Sequence, residues 1–306
     1  MSRLLLLACL LLTAPAWAQE DTPVLSGTLQ TILDRGTILI GVRDSAVPFA
    51  FRNPGGQPVG FSVDLCHGIA EDVADMLHRD LLDPEAPAWR KGVRIVYVPI
   101  AAADRIPDLI GGKIDLECGS TTDDAEREKT VAFSPVFFLA GTKLLVAKDS
   151  KIGSYRGLAG KTVAVSAGTT NAEVVKRLAA RVVPPIAVAE EPDLSVAYDK
   201  VASGAAAAMA SDDILLSGLI ATRPDGKRFQ VVGDYLSYEP YAIAHRRDDK
   251  LFADLVKASF GRMAAEGRLH ALYDRWLTDR LPNGETMNLP MSPHVAEMYR
   301  VLGEPD

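Results

Sequence analysis

The sequence has little cysteine and few histidines, and neither residue is spaced like a metal ligand. Three cysteines occur among the 306 residues without forming a Cys-x-x-Cys pair, and the five histidines are scattered along the chain. Zinc sites usually depend on such paired spacings. We therefore expect no metal ion and no cofactor in this protein.

Catalytic motifs are also missing. The sequence contains no His-Glu-x-x-His, no Gly-x-x-x-x-Gly-Lys-Ser/Thr phosphate loop and no Ser–His–Asp set. The net charge is −7, and an acidic surface disfavours nucleic acid and anionic membranes as partners. These absences favour a protein that is not an enzyme and does not bind nucleic acid.

Long hydrophobic runs are confined to the N-terminus. Arg3 is followed by the apolar run 4–12 and then by Ala16-Trp-Ala18, which is the three-part pattern of a secretory signal. The run is too short to cross a bilayer, and no later run is long enough. We expect residues 1–18 to be a signal peptide and the remaining chain to be exported to the periplasm.

After the leader, strand and helix patterns alternate. Thr37–Val42 is an unbroken apolar strand, Val63–Leu77 has apolar residues at helical spacing, and Arg105–Ile110 is a short helix ended by Gly111-Gly112. This alternation implies a mainly parallel sheet flanked by helices. The pattern restarts after Phe137 as a second, smaller α/β unit.

Two extended runs, 139–145 and 236–243, are predicted to be crossings between these units. Two crossings make the first unit discontinuous. We therefore expect an α/β fold with two lobes and a C-terminal extension on the surface. The predicted divisions are residues 28–140 plus 241–280 for the first lobe, 141–240 for the second lobe and 281–306 for the extension.

The most informative segment runs from Leu116 to Arg127. A short apolar strand leads into a Gly/Ser/Thr turn, and Asp123 and Glu126 have the spacing of a helix N-cap and its third residue. Such a turn offers hydroxyl groups and free backbone N–H groups at the positive end of a helix. Arg127 adds a guanidinium fork that suits a carboxylate. The segment therefore predicts a site for a small anion.

Two further segments end strands in the same manner. The loop 166–171 follows a strand and precedes a helix, and Asp212-Asp213 opens another helix. Ligands of open α/β sheets bind beyond the carboxyl ends of the strands. When two lobes face each other, these ends form a cleft, and we expect the ligand to bind there.

A set of motifs is distributed along most of the chain. The motifs are Arg43-Asp-Ser-Ala-Val-Pro-Phe49, Val59-Gly-Phe-Ser62, Asp104-Arg-Ile-Pro107, Glu117-Cys-Gly-Ser-Thr-Thr122 with Arg127, Ala132-Phe-Ser134, Gly168-Thr-Thr170 and Asp212-Asp213. Together they resemble the glutamate/aspartate-binding proteins of bacterial ABC importers, in the polar amino-acid branch of the periplasmic solute-binding proteins. The resemblance spans about Thr28 to the C-terminus. It implies the type II periplasmic binding fold, a monomer that closes by a hinge motion, and a membrane permease with its ATPase as partners.

An α-amino acid carries a carboxylate and an ammonium group. Burial of either charge without a partner is strongly unfavourable. Arg127 and the backbone N–H groups of Thr122 and Thr170 suit the carboxylate, whereas Asp212 and Ser120 suit the ammonium group. The resemblance implies these roles for the matching positions. The alternatives are a surface ion pair for Arg127 and simple helix caps for Asp212 and Thr170.

The side-chain end of the ligand is assigned through two further arginines. In the resembling proteins, the matching residues of Arg43 and Arg105 hold a side-chain carboxylate, which implies glutamate or aspartate. The alternative is that each arginine is solvated or in an ion pair. Two positions depart from the family pattern, because Ala102 replaces a serine and Leu194 replaces a histidine. A less polar pocket leaves a larger acidic amino acid, an amide or another dicarboxylate-like compound as alternatives.

The two cysteines of the exported chain lie in the same predicted lobe. Cys66 is on the predicted helix 63–77, and Cys118 is at the end of the strand 114–118. An oxidising compartment permits a disulfide between them. Two separate buried thiols are the alternative, because the sequence does not supply the geometry.

Two other functions are compatible with the same motifs. Some relatives of this fold are periplasmic dehydratases for cyclic acids, which need a general acid or base in the cleft. Glu117 is near enough to be considered, although a glutamate at the end of a strand is more often structural. A sensor or accessory protein that presents its ligand to a receptor would have the same binding lobes.

Overall fold

A computed structural model describes residues 25–305 of the chain. The predicted signal peptide, residues 1–18, lies outside this range. Between residues 25 and 305, no helix has both the length and the apolar character needed to span a membrane.

The described chain alternates between short strands and helices. The strands are β1 Thr37–Val42, β2 Ser45–Ala46, β3 Ala50–Arg52, β4 Pro58–Val59, β5 Leu81–Leu82, β6 Val93–Pro99, β7 Leu116–Glu117, β8 Val131–Phe133, β9 Phe138–Ala147, β10 Thr162–Ser166, β11 Ala187–Glu191, β12 Ala208–Asp212, β13 Phe229–Val232, β14 Tyr238–Tyr241 and β15 Ala244–Arg246. The α-helices are α1 Gly27–Arg35, α2 Phe61–Met76, α3 Arg105–Ile110, α4 Thr170–Ala179, α5 Leu194–Ala202, α6 Asp213–Thr222, α7 Lys250–Ala265, α8 Arg268–Tyr273 and α9 Pro293–Leu302.

The first lobe is built on a six-stranded sheet with the order β5-β6-β1-β7-β15-β8. β1 lies parallel to β6 and β7, whereas β15 runs antiparallel to β7 and β8. Ile38, Ile40 and Val42 lie on one face of β1 and are fully buried, whereas Thr37 and Leu39 on the other face are partly buried. Both β1 and α3 have their predicted bounds.

The second lobe is built on a sheet with the order β11-β10-β12-β9-β13. β10 lies parallel to β11 and β12, and β9 runs antiparallel to β12 and β13. The sheet is therefore parallel on one side and antiparallel on the other. The chain has the two-lobed α/β fold that its sequence predicts.

The chain crosses between the two sheets in β9 and β14. Residues 138–141 of β9 pair with β14, and residues 142–147 pair with β12 and β13. The predicted lobe boundaries, 140/141 and 240/241, fall inside these two strands. The division into lobes at those residues stays a prediction.

The prediction of a helix that starts near Asp123 is wrong. The structure has a single 3-10 turn, Arg127–Lys129, and Asp124 rather than Asp123 accepts the N–H groups of Glu126 and Arg127 at 2.9 and 3.0 Å. β8 follows this turn almost at once. The segment between β7 and β8 therefore contains one helical turn, and no longer helix starts at Asp123.

A disulfide joins Cys66 of α2 to Cys118, the residue after β7, with 6.2 Å between the Cα atoms. The sequence left this pairing open. One turn earlier on α2, the Ser62 hydroxyl donates to the carbonyl oxygen of Gly119 at 2.6 Å. Helix α2 thus holds the loop after β7 at two adjacent points.

An aromatic cluster lies in the first lobe beneath the crossings. Phe49 packs against Phe61, Phe138 and Tyr241 with ring centroids 5.0–6.1 Å apart. Phe49 immediately precedes β3 of a small three-stranded sheet, β2-β3-β4. Because Tyr241 is fully buried, the cluster fixes the position of its hydroxyl group.

The C-terminal extension ends in α9, which contacts α7. Tyr299 of α9 is fully buried, and its hydroxyl donates to the carbonyl oxygen of Phe137 at 3.0 Å. Phe137 immediately precedes β9. The extension therefore packs on the first lobe and contacts the start of one crossing.

The two lobes approach each other closely at two glycines. A Cβ at Gly168 would lie 2.5 Å from the Cα of Ala103, and a Cβ at Gly218 of α6 would lie 2.4 Å from the carbonyl oxygen of Val47. These distances are shorter than real Cβ contacts. The lobes therefore touch backbone to backbone, and only glycine permits this approach.

Candidate functional site

Loops from both lobes meet in the cleft at the carboxyl ends of their strands. They enclose a space that we name the cleft pocket. Its lining residues are Arg43, Arg105, Ser120, Thr122, Thr169, Thr170, Asn171, Leu194, Ser211, Asp212 and Leu215. The free volume is about 10 Å³, which is about the room that one water molecule needs.

The structure brings together all but one of the predicted site residues. Those that line the cleft pocket are Arg43, Arg105, Ser120, Thr122, Thr170 and Asp212. Arg127 lies beyond Thr122 in a neighbouring surface groove, the rim groove, which is also lined by Thr169 and Thr170. Nη1 of Arg127 donates to the carbonyl oxygen of Thr122 at 2.9 Å, and its Nε lies 3.8 Å from Asp124.

Arg43 follows β1 and is buried, with 4% of its surface exposed. Its Nη1 donates to the Ser120 hydroxyl at 3.4 Å, and its Nη2 has no hydrogen-bond partner among residues 25–305. Burial lowers the pKa of the guanidinium, and the nearby carboxylate of Glu117 opposes this effect. A buried cation with a free donor favours an anionic partner.

Arg105, the first residue of α3, is also buried. Its donors reach the Thr121 hydroxyl at 2.7 Å and the carbonyl oxygens of Ala102 and Gly168 at 2.8 and 3.3 Å. Burial, and then the positive charge of Arg127, lower the pKa of Arg105 to about 9. The bond to Gly168 joins the first lobe to the second.

Asp212 ends β12 and occupies the N-cap position of α6, but its carboxylate makes no capping bond. Oδ1 accepts from Nδ2 of Asn171 at 2.6 Å, and Oδ2 accepts from the Tyr241 hydroxyl. Burial, and then the charge of Glu239, raise the pKa of Asp212 to about 6, although the bonds from Tyr241 and Asn171 lower it. A nearby cation would therefore stabilise the ionised form of Asp212.

The threonines at the start of α4 have separate roles. The hydroxyl of Thr169 caps the helix, accepting the N–H of Ala172 at 3.2 Å. The hydroxyl of Thr170 instead donates to Oε2 of Glu239 at 2.6 Å, and that of Thr122 donates to the same oxygen at 2.8 Å. The interpretation of Thr170 as the side-chain cap of α4 is therefore wrong.

The two positions that depart from the family pattern differ in location. Leu194, the first residue of α5, lines the cleft pocket, and Leu215 of α6 adds a second apolar surface. Ala102 does not line the pocket, although its carbonyl oxygen accepts a bond from Arg105. The pocket is therefore polar, with one apolar patch on the second lobe.

The sequence did not indicate three important polar residues. Asn171 is the last residue of the predicted loop 166–171 but was given no role there, and Glu239 and Tyr241 lie in the run 236–243, which was interpreted only as a crossing. No local motif marks them. Their contacts with Asp212 and Thr170 depend on pairing between distant parts of the chain.

Proteins with similar sequences are bacterial solute-binding proteins. The model of the bacterial extracellular solute-binding proteins, family 3, matches residues 38–279. The L-glutamate/L-aspartate-binding protein of Pseudomonas aeruginosa is 33% identical over 96% of this chain and 92% of its own. The glutamate/aspartate import solute-binding protein of Escherichia coli is 30% identical over 96% of this chain and 94% of its own.

Solved structures with a similar fold are amino-acid-binding proteins. A mutant of ArgBP from T. maritima has a TM-score of 0.71 and 29% identity, covering 83% of this chain and 100% of its own. An ancestral amino acid-binding protein, a precursor of cyclohexadienyl dehydratase, has a TM-score of 0.66 and 30% identity, covering 82% and 99%. The chain belongs to family 3 of the bacterial extracellular solute-binding proteins.

Proposed function

We propose that this protein is the periplasmic substrate-binding component of an amino-acid ABC importer and that it binds glutamate or aspartate in the cleft pocket. Family membership supports the binding role. The relatives from P. aeruginosa and E. coli are glutamate/aspartate-binding proteins, which supports the ligand class. The charges of the pocket support both.

The observation that carries the proposal is the pair of buried guanidinium groups. Arg43 and Arg105 both line the pocket, and within residues 25–305 neither is in an ion pair with a carboxylate. A ligand carboxylate between them would accept charge-assisted hydrogen bonds, including one from the unpartnered Nη2 of Arg43. We assign the side-chain carboxylate of the ligand to these two arginines.

The acidic residue of the pocket suits the ammonium group. Asp212 is buried in the second-lobe wall of the pocket, and the carbonyl oxygen of Ser120, which Nη1 of Arg105 contacts at 3.4 Å, has a lone pair left for a further donor. An ammonium group would offset the unfavourable burial of the Asp212 charge. We therefore assign the α-ammonium to Asp212 and Ser120.

We assign the α-carboxylate to the boundary between the cleft pocket and the rim groove, where Arg127 contacts Thr122. Thr170 is the first residue of α4, so its N–H group has no acceptor within the helix. The N–H groups of Thr122 and Thr170, together with Arg127, then bind this carboxylate. Leu194 contacts the methylene groups of the ligand.

The ligand enters only when the lobes separate, because a free volume of about 10 Å³ is far smaller than an amino acid. We propose a hinge at β9 and β14, with the ligand stabilising the closed arrangement by its contacts to both lobes. The closed monomer then delivers the amino acid to a membrane permease driven by an ATPase. No catalytic step is part of this function.

A thermal-shift screen of the ligand-stripped protein against the standard amino acids and small dicarboxylates tests the ligand class. Glutamate and aspartate are expected to raise the melting temperature, because a ligand that binds only the folded state stabilises it. The ligand is expected to be recovered unchanged, as judged by NMR. A rise confined to neutral or basic amino acids would contradict the proposal.

Arg43→Met keeps the apolar stem of the side chain but removes the charge. We expect it to weaken glutamate binding by about 30-fold or more, since loss of one member of a buried charge pair costs about 2–5 kcal/mol. Glutamine binding should fall much less. Isothermal calorimetry with both ligands measures this, and Arg90→Met, at an exposed arginine paired with Asp80, is the matched control. Equal losses for the two ligands would refute the assignment of Arg43.

The affinity for glutamate is expected to depend on pH through Asp212. Its pKa in the free protein is about 6, and the ammonium group binds the ionised form. Affinity should therefore be constant above about pH 7 and fall by up to about tenfold per pH unit well below 6. Calorimetry between pH 5 and 8 measures the profile. We call the fall of affinity at low pH the acid limb of the profile. Asp212→Asn should bind weakly and show no acid limb.

Gly218→Ala is expected to oppose closure without destabilising the fold. The new Cβ would clash with the Val47 carbonyl across the cleft, whereas alanine stabilises a helix interior by about 1 kcal/mol relative to glycine. Glutamate affinity and ligand-induced compaction in small-angle scattering should fall, and the melting temperature of the free protein should not. Gly261→Ala in α7, where the nearest atom is 3.9 Å away, is the control. Wild-type affinity in Gly218→Ala would exclude closure around this contact.

A further inference from the structure

Glu239 lies in β14, on one of the two crossings, opposite Ala140 of β9. Only 1% of its surface is exposed. It does not line the cleft pocket, but it borders the rim groove directly behind the two threonines. A buried carboxylate at a crossing needs hydrogen-bond donors, and the positions of these donors indicate its role.

The donors come from both lobes. Oε2 accepts from the hydroxyl of Thr122, in the loop after β7 of the first lobe, and from that of Thr170, at the start of α4 in the second lobe. Oε1 accepts from the hydroxyls of Ser237 and Thr142, which lie at the crossings themselves. One oxygen atom thus joins the two lobes, and the other anchors the carboxylate to the crossing strands.

Thr122 and Thr170 are brought close together by this arrangement, and their hydroxyl oxygens are 3.4 Å apart. Since both hydroxyls donate to Glu239, the groups that remain for a ligand are the two backbone N–H groups. We infer that the two bonds to Glu239 orient the peptide groups of Thr122 and Thr170 as well as their side chains.

Glu239 also acts on Asp212 through space, and its charge is the second cause of the raised pKa of Asp212 after burial. The other groups that face Asp212 are Tyr241 on β14, Asn171 on α4 and Asp213 on α6. The guanidinium groups of Arg43 and Arg105 face it from the first lobe.

We propose that Glu239 is a positioning residue of the cleft, which holds the Thr122 and Thr170 segments together across the lobes and so couples the crossing strands to the ligand site. This inference rests on the proposed function for its effect on affinity. It also has consequences in the absence of any ligand. When the bonds from Thr122 and Thr170 to Glu239 are lost, the backbone N–H groups of the two threonines no longer converge. The lobes then separate more easily.

Glu239→Gln is the principal test, since it keeps the shape of the side chain and removes the charge. At pH 7.5 glutamate should bind about 10- to 100-fold more weakly, in line with the loss of charge-assisted hydrogen bonds. The acid limb of the affinity profile should at the same time move to lower pH, because a negative charge near Asp212 is gone. The shift of the limb reports the lost charge near Asp212, whereas the loss of affinity at pH 7.5 reports the lost bonds to Thr122 and Thr170. Affinity within twofold of wild type at pH 7.5 would overturn the proposal.

A double-mutant cycle with Thr170→Val shows whether Glu239 acts through the threonine. Valine removes the hydroxyl and keeps the backbone N–H group. The double variant should bind about as weakly as the weaker single variant, whereas multiplied losses would overturn the proposal. Glu190→Gln, at a half-exposed glutamate of β11 that pairs with Lys176, should leave the affinity unchanged. If Glu239→Gln does not fold, Thr122→Val and Thr170→Val give the same comparison.

Two measurements without ligand separate this proposal from the proposed function. Spin labels introduced by Lys91→Cys and Lys151→Cys, at exposed positions on the two lobes, should report longer distances in Glu239→Gln than in the parent. The carbon-13 shift of the Asp212 carboxyl should titrate at lower pH in that variant. If wild type binds no acidic amino acid but both changes occur, the proposed function fails and the role of Glu239 stands. Unchanged distances and titration would overturn the role of Glu239 whatever the ligand is.

Discussion

The closed arrangement of this protein depends on charges buried where the two lobes meet. The guanidinium groups of Arg43 and Arg105 and the carboxylates of Asp212 and Glu239 are each at least 95% buried. Within residues 25–305 no ion pair joins them, and each is held by hydroxyl, amide or carbonyl groups instead. Buried charges are unfavourable unless such bonds are well placed. The rest of the fold serves to place them.

The loop after β7 illustrates how this placement is achieved. The disulfide at Cys118 and the bond from Ser62 to Gly119 fix the loop to α2. Gly119 also leaves room for the buried side chain of Glu117, whose Oε1 would lie 2.5 Å from a Cβ at that position. Ser120 and Thr122 therefore extend into the cleft from a loop that is rigidly held by the first lobe. On the second lobe, the equivalent support is the start of α4, where Thr169 caps the helix and leaves Thr170 free for Glu239.

Local sequence predicted those parts of the fold that are determined locally. The unbroken apolar run of β1 and the glycines after α3 gave correct bounds, because strand formation by an apolar run and helix termination act over a few residues. Ser120, Thr122, Thr170 and Asp212 of the cleft pocket lie in the predicted strand-end segments, whereas Arg43 and Arg105 were assigned through the family resemblance. The helix after Asp123 was predicted wrongly, because a cap pattern carries no information about how soon the next strand must begin.

The missed residues share a different cause. The local sequence assigned no role to Glu239 or to Asn171, although Asn171 directly follows the motif Gly168-Thr-Thr170, and the partners that make both residues important are 69 and 41 residues away. Their roles depend on the register of β14 with β9 and on the approach of α4 to β12. These are tertiary relations that no motif within one segment encodes.

The position of β15 also has a consequence for the order in which the molecule assembles. The second sheet takes all its strands from residues 138–241, whereas β15 at 244–246 lies between β7 and β8 in the first sheet. A chain that emerges from its N-terminus can therefore complete the second sheet first. Until β15 arrives, β8 has no neighbour that joins it to the first sheet, and one edge of β7 is unpaired. Such an edge is open to pairing with other chains, so the first lobe is the vulnerable part of a partly emerged molecule.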